Sequence, residues 1–464
     1  MGVAGLPDGI AGFVASALAR VPPWLDMRLL AIGTGLVVAG LAVIAIRARR
    51  RRQARAQAVR LEWGIHGLKE KLRSRLSEPR EFFDARAVAF PTLGASSAFE
   101  ADLDAAARAV MVQAGGKPAR AKLLLRQKLH SNSLNGSEAA YWRQLGALSL
   151  IDSTQDAVRA YARAADLAPD DPQAQMLAGV LYLRDGRLEA AETAFRRQME
   201  LAGQGPDGAA MRCRAGVMLG DALIAREEPQ KALEAYRAAQ REAEALAQKE
   251  PGIATHKREL SLVHDRIGDV LSSSGHVEAA LESYASSLSV MHALAKQDAG
   301  RLEWQRDLSV SHDRVGEARE RKGDLDGALE SYRNGLRIAE ALVRQHRDRS
   351  DLQWDLSSSL DRVGDVLAAK GKLPEALASY RQALEIAEAV TQTDHARLSW
   401  QRELAASYHK VGVLECQVGN EAEAVEIFER GRAIIARLDR IAEHRAQWRS
   451  DLRTFDQALE TLRH

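Results

Sequence analysis

Residues 304–345 read WQRDLSVSHDRVGEARERKGDLDGALESYRNGLRIAEALVRQ, and this stretch decides the fold of the chain. Apolar residues on a 3.6-residue rhythm predict a first helix from Trp304 to Arg321 and a second from Leu325 to about Gln345. Gly323 lies in the turn between them, where a residue that is free to adopt positive φ ends a helix at little cost. The stretch therefore predicts two helices joined by a tight turn.

The same pattern recurs every 48 residues through the second half of the chain. Five sets of residues keep this step: Gly220, Gly268, Gly316, Gly364 and Gly412; Ala232, Ala280, Ala328, Ala376 and Ala424; Tyr236, Tyr284, Tyr332, Tyr380 and Phe428; Gly275, Gly323, Gly371 and Gly419; and Leu260, Leu308, Leu356, Leu404 and Leu452. Gly316 falls inside the first predicted helix, where glycine costs about 1 kcal/mol relative to alanine. Its recurrence predicts that a neighbouring helix packs against the bare backbone. We expect Ala328 and Tyr332, one turn apart, to interlock with it.

Two earlier units carry a more typical repeat signature. The first has Leu145-Gly146 followed by Ala157, Tyr161, Ala164 and Pro169, and the second has Gly179, Tyr182, Gly186, Ala191 and Phe195. These residues resemble the pattern of the tetratricopeptide-repeat family. The resemblance covers about 140–448. It implies an all-α fold, a right-handed solenoid of about seven helix pairs that binds other proteins. The 48-residue period exceeds the usual repeat of about 34, so each helix is expected to be one or two turns longer.

An apolar stretch near the N-terminus predicts a transmembrane helix. Residues 29–46 read LLAIGTGLVVAGLAVIAI, which is 18 residues without a charge and just long enough to cross a bilayer core. Basic side chains follow and are expected to lie at the membrane surface: Arg47, Arg49, Arg50, Arg51, Arg52 and Arg55. The positive-inside rule places this side in the cytoplasm and the N-terminus outside. We therefore predict a single-pass protein of a bacterial inner membrane with a cytoplasmic repeat domain.

Two other interpretations of residues 29–46 are weaker. A cleaved signal peptide would carry its positive charges before the apolar stretch, whereas here they follow it. A buried soluble helix is the second alternative, and the flanking arginines oppose it. Ala31, Gly35 and Ala39 form a row of small residues that would let two spans approach closely, so a homo-oligomer through the transmembrane helix is a further prediction.

Prolines and shifts in composition predict the domain boundaries. A short non-cytoplasmic segment (1–27) precedes the transmembrane helix (28–46) and a basic juxtamembrane helix (47–77). A linker (78–98) and a helical lead-in (99–139) connect these to the solenoid (140–448), and a capping helix (449–464) closes the chain.

Composition and motifs favour neither an enzyme nor a nucleic-acid-binding protein. The formal net charge is +2, so no global field attracts nucleic acid. The only two cysteines, Cys213 and Cys416, form no CxxC pair, which argues against a disulfide framework or a cysteine-ligated zinc site. No HExxH or GxSxG motif occurs. We expect no catalytic residue, metal site or cofactor.

Acidic pairs on the first helices are the candidate site for a partner protein. They recur 48 residues apart and are Asp265 and Asp269, Asp313 and Glu317, and Asp361 and Asp365, which we call the acidic ladder. Residues four apart share a helix face, so the ladder is predicted to face the groove of the solenoid and receive a basic or polar segment. In the alternative interpretation, Arg266, Arg314 and Arg362 pair with these acids within or between repeats.

These patterns together predict a membrane-anchored scaffold that recruits a protein or peptide partner to the bilayer through its cytoplasmic repeats. Tethering would raise the local concentration of whatever the solenoid binds. Two alternatives stay open from the sequence, namely a self-assembling structural membrane protein and a regulatory subunit of a membrane complex.

Overall fold

The computed structural model describes residues 65–69, 71–72, 95–111, 113–114, 117–131, 137–393, 397–441 and 446–462. The longer helices are α1 (Ala95–Ala106), α2 (Pro118–His130), α3 (Glu138–Leu150), α4 (Thr154–Leu167), α5 (Pro172–Arg184), α6 (Leu188–Leu201), α7 (Pro206–Ala225), α8 (Pro229–Lys249), α9 (Ala254–Ser273), α10 (Val277–Gln297), α11 (Leu302–Arg321), α12 (Leu325–Gln345), α13 (Ser350–Ala369), α14 (Leu373–Thr393), α15 (Leu398–Gln417), α16 (Glu421–Ile441) and α17 (Ala446–Thr461). One π-helical turn, Ala107–Met111, extends α1. Among the described residues, this is an all-α array of helix pairs.

Seven helix pairs run from α3/α4 to α15/α16, and α17 follows them as a single helix. From α9 onward, successive first helices begin 48 residues apart, at Ala254, Leu302, Ser350, Leu398 and Ala446. The turn within a pair is short because Gly323 adopts φ of 85° and ends α11, as its position in the sequence predicted. Asp324 then begins α12 by accepting a hydrogen bond from the Gly327 amide.

The repeated glycine inside each first helix makes room for an aromatic ring. A Cβ built on Gly316 would lie 2.7 Å from the Tyr332 ring, which is closer than van der Waals contact allows. Ala328, one turn before Tyr332, is fully buried, and Tyr332 is 3% exposed. The predicted interlock of bare backbone with the alanine and the ring is therefore confirmed.

First helices line the inner face of the array. Each first helix packs against the second helix of its own pair and against the second helix of the preceding pair. Consecutive first helices, such as α9 and α11, also approach each other directly. This proximity curves the array and brings their side chains onto one continuous surface.

The lead-in helix α1 packs across the first helices α3 and α5. Phe99 is fully buried and meets the Tyr161 ring edge-on at 5.2 Å between centroids. Asp102 accepts hydrogen bonds from the Tyr161 hydroxyl at 3.0 Å and from Arg143 at 2.7 Å. The short helical stretch before α1 joins this cluster through an ion pair of 2.7 Å between Lys69 and Asp104. The lead-in is thus part of the packed array.

The structure differs from the predicted linker at its end, because α1 begins at Ala95 inside the segment 78–98. The helix starts in the small residues Ala95 to Ala98, and the burial of Phe99 against Tyr161 stabilises its first turns. The predicted transmembrane helix, 28–46, lies outside the described residues. None of the helices within the described ranges is both long and apolar enough to cross a membrane.

Candidate protein-binding face

The acids of the acidic ladder bond to basic side chains of the following helix pair. Arg314 on α11 donates to Asp269 on α9 and lies 3.6 Å from Asp265. Arg362 on α13 donates to Asp313 at 2.5 Å. Lys410 on α15 lies 2.8 Å from Asp365 and 3.9 Å from Asp361. Arginine and lysine side chains thus pair with the acids, as the alternative interpretation predicted for Arg314 and Arg362. Each of these ion pairs joins one repeat to the next.

Tyrosines of the second helices support the same acids. The Tyr284 hydroxyl donates to Asp269 at 2.8 Å, and the Tyr380 hydroxyl donates to Asp365 at 2.6 Å. Glu317 departs from this arrangement, because it pairs with Arg321 one turn along its own helix. Tyr332 therefore donates to Glu320. Glutamate is one methylene longer than aspartate, so the Glu317 carboxylate extends toward Arg321. The shorter Asp269 and Asp365 stay at the interface between helices and bond the tyrosines.

The acidic ladder is graded in its exposure to solvent. The Asp265 and Asp313 side chains are 12% and 9% exposed, whereas that of Glu317 is 47% exposed. Burial raises the pKa of Asp265 to about 6, although Arg314 and the Ser287 hydroxyl favour its carboxylate. Burial likewise raises the pKa of Asp313 to about 6 against the opposing effect of Arg362. The ladder therefore includes two buried acids, Asp265 and Asp313, that titrate closer to neutrality than an ordinary aspartate.

A measurable pH dependence follows from Asp265. An unfolded aspartate titrates near about 3.9, so the folded protein binds an extra proton between that value and its own pKa. The stability conferred by this proton is present at low pH and is lost as the pH rises through about 6. Lowering the pH from 7.5 to 5 should therefore raise the free energy of unfolding of wild type by about 1 kcal/mol more than that of Asp265→Asn. Urea unfolding at the two pH values measures it.

Asn is a suitable substitution because Arg314 keeps Asp269 as its partner. Glu330→Gln, at a side chain that is 74% exposed on α12, is the matched control and should leave the pH dependence unchanged. An equal pH dependence in wild type and Asp265→Asn would contradict the assignment.

A second set of ion pairs lies nearer the N-terminal ends of the first helices, and we call it the N-terminal row. Its pairs are Arg258–Asp307 at 2.6 Å, Arg306–Asp355 at 2.5 Å and Arg402–Asp451 at 2.7 Å. The acids of this row are separated by multiples of 48 residues, and so are the arginines. The signal for this row was therefore present in the sequence, although we did not predict the row from it.

Trp354 takes the place of an arginine in the N-terminal row. Its indole N–H donates to Glu403 at 3.1 Å, so the bond between repeats is kept. The Trp354 ring also stacks on Trp400, with 4.9 Å between centroids and 11° between planes. The tryptophan replaces an ion pair with a hydrogen bond and an aromatic contact.

An uncharged row separates the N-terminal row from the acidic ladder. Its residues are Leu262, Val310, Ser358 and Ala406, one from each of α9, α11, α13 and α15. Val310 is 43% exposed, which is high for a valine within a packed array. The inner face of these repeats therefore consists of a central uncharged row bounded on each side by ion pairs.

The predicted membrane-surface residues, Arg47, Arg49, Arg50, Arg51, Arg52 and Arg55, lie outside the described residues. Their role remains a prediction, as does the partner-binding role of the acidic ladder. Both cysteines lie in first helices, where Cys213 is fully buried and Cys416 is partly buried. Burial raises the pKa of the Cys213 thiol to about 12, which keeps it protonated and unreactive.

Comparison with known families identifies tetratricopeptide repeats in two parts of the chain. One tetratricopeptide-repeat model matches residues 172–204, which contain α5 and α6, and another matches residues 355–437, from α13 to α16. The chain therefore contains tetratricopeptide repeats, as the resemblance in its sequence indicated. No curated protein matches the chain.

Two of the solved structures to which the chain is similar show the extent of the likeness. The crystal structure of BtubC from P. vanneervenii is 16% identical, with a TM-score of 0.40, and the match covers 57% of this chain and 92% of that one. A signal-transduction ATPase with a tetratricopeptide-repeat sensor, from Pyrococcus horikoshii, is 13% identical, with a TM-score of 0.45. That match covers 74% of this chain and 52% of the other.

Proposed function

We propose that this chain is a membrane-anchored adaptor whose tetratricopeptide repeats hold a partner protein on their inner face. The proposal places residues 28–46 across a bacterial inner membrane, with the N-terminus outside and the repeats in the cytoplasm. Its support is the uncharged stretch 29–46 followed by a run of arginines. In this arrangement Arg47 to Arg55 contact anionic lipid head groups.

The observation that carries partner binding is an excess of carboxylates on the inner face. The six acids of the acidic ladder are matched by only three basic side chains of the following pairs, Arg314, Arg362 and Lys410. The steps at Asp265/Asp269 and at Asp361/Asp365 therefore keep surplus carboxylates, whereas Arg321 pairs with Glu317 within its own helix. Glu317 is 47% exposed and lies within reach of a partner. A positively charged segment of a partner is the complementary ligand.

Charge reversal at Glu317 tests this proposal. Glu317→Lys should lower the recovery of the cross-linked partner from membranes about tenfold at low salt, a change of about 1.4 kcal/mol. Because Glu317 is exposed and bonds only within its own helix turn, the fold should tolerate the change. The measurement is quantitative cross-linking of the full-length protein in membranes, followed by purification.

Glu330→Lys is the matched control, since Glu330 is 74% exposed and lies on the second helix α12. It should leave recovery unchanged. Raising the salt concentration should bring wild type closer to Glu317→Lys, because exposed charges are screened over about 8–10 Å at physiological ionic strength. Equal recovery for all three proteins at low salt would refute the inner face as the binding surface.

A further inference from the structure

One step of the inner face contains a cavity of about 130 Å³, between α11, α12 and α13. Val310 and Ser358 of the uncharged row lie at its walls, with Leu342 and Leu352 among its apolar residues. Pockets for drug-sized ligands measure about 300–1,000 Å³, so this one has room for a single side chain. The cavity lies on the surface to which a partner is proposed to bind.

Two ion pairs between repeats form opposite walls of the cavity. Arg306 and Asp355 belong to the N-terminal row, while Asp313 and Arg362 belong to the steps of the acidic ladder. Arg306 uses three of its five N–H donors, because it bonds both oxygens of Asp355 and also Asp351. Two arginines and two aspartates leave the cavity without net charge.

Arg362 has hydrogen-bonding capacity to spare. In the described part of the chain, its one hydrogen bond runs from Nη1 to Asp313. Arg314 and Lys410, in the same register, each reach two carboxylates. The difference arises because Glu317 turns toward Arg321. The Arg362 side chain is 41% exposed, so its remaining N–H groups are accessible to a ligand.

Asp313 lacks a partner for one of its carboxylate oxygens, Oδ1, although the residue is only 7% exposed. In the preceding repeat the matching acid, Asp265, lies beside the Ser287 hydroxyl, yet its Oδ1, like that of Asp361, also has no partner among the described residues. Gly335 takes the place of that serine 48 residues on, and it lies against Asp313. The Asp313 Oδ1 is shielded from solvent, so the acceptor that the cavity offers beside the spare donors of Arg362 is the Ser358 hydroxyl.

We infer that this cavity binds one neutral amide side chain, of asparagine or glutamine, from a segment of the partner protein. The inference rests on the proposed function and names a feature of the partner. An amide carbonyl accepts from Arg362, and its NH₂ group donates to the Ser358 hydroxyl. A charged side chain would lose its hydration in a cavity without compensating net charge, because each wall carries one arginine and one aspartate. Val310 and Leu352 cover the aliphatic part of the side chain.

A random peptide library displayed on phage and selected on the full-length protein tests the inference. The selected peptides should share one asparagine or glutamine, and replacing it by the matching acid should weaken binding at least tenfold. Ser358→Phe fills the cavity and should abolish the same binding. Ala406→Phe places the same ring at the equivalent exposed position of the next repeat and should leave binding unchanged.

A second variant guards against misfolding of Ser358→Phe. Val310→Glu adds a carboxylate from a position that is 43% exposed, and it too should weaken peptide binding at least tenfold. Peptides without a shared amide, failure to select any peptide, or equal loss in Ala406→Phe would overturn the inference. A further outcome would overturn the inference but not the adaptor function. In that outcome, recovery of the membrane partner falls in Glu317→Lys and is unchanged in Ser358→Phe.

Discussion

Replacing Asp221 with alanine is expected to lower the free energy of unfolding by about 3 kcal/mol or more. Asp221 is 1% exposed and accepts hydrogen bonds from the Tyr236 hydroxyl at 2.6 Å and from Arg266 at 3.0 Å. Arg266 is 2% exposed, so the change removes the carboxylate at 3.0 Å from a buried cation, while Asp269 lies 3.7 Å from that cation. Hydrogen exchange of the α7 and α9 amides measures the effect, because a repeat array loses stability locally.

Removal of both charges should be milder than removal of one. Asp221→Ala combined with Arg266→Leu also removes the buried cation, and we expect it to recover at least half of the lost stability. Asp326→Ala is the surface control, since Asp326 is 90% exposed in its ion pair with Lys370. Its effect on stability should be far smaller than that of Asp221→Ala, because solvent screens an exposed ion pair. A double variant as unstable as Asp221→Ala would show that shape, and not charge, sets the cost.

The helix pairs could be predicted from the sequence because their signals are local. The predicted first helix 304–321 compares with Leu302–Arg321 in the structure, and the predicted second helix has the observed bounds Leu325–Gln345. Glycine in the turn and the glycine-to-tyrosine spacing depend on backbone conformation and on the contact within one pair. Both recur at a fixed step, so each repeat supports the interpretation of the others.

The partners of the acids could not be predicted, because they depend on how one pair lies against the next. Arg314 is adjacent to Asp313 in the sequence and yet bonds Asp269 on the preceding first helix. The spacing within a helix does not reveal this, since the distance between first helices is set by the second helix packed between them. The sequence accordingly left both interpretations of the ladder open.

The lead-in helix and the cavity contain contacts that the repeat pattern does not predict. In the first pair, the Tyr161 hydroxyl finds its acceptor in Asp102 of α1, more than 50 residues earlier in the chain. At the cavity, glycine at 335 in place of a serine changes the environment of Asp313 on another helix. Such effects arise where three helices meet, and no pattern within one repeat contains them.

Substitution of Gly412 by alanine is expected to lower the free energy of unfolding by about 2 kcal/mol. A Cβ at this position would lie 2.6 Å from the Phe428 ring, which is itself only 2% exposed. Forcing an extra carbon into such packing costs about 1–3 kcal/mol, and alanine returns up to about 1 kcal/mol through its higher helix propensity. The loss should therefore be about 2 kcal/mol if the Phe428 ring cannot move, and smaller if it can. Urea unfolding followed by circular dichroism measures the free energy of unfolding.

The same measurement on two further variants separates ring contact from backbone effects. Phe428→Leu in the Gly412→Ala background removes the ring from the path of the new methyl group, so the two changes together should cost less than the sum of their separate effects. Phe428 suits this test because, unlike the tyrosines of its register, it has no hydroxyl bond to lose. Gly67→Ala is the matched control, since a Cβ on this helical glycine meets nothing within 4 Å and should not reduce stability. Strict additivity of the Gly412 and Phe428 changes would refute the steric explanation for the recurring glycine.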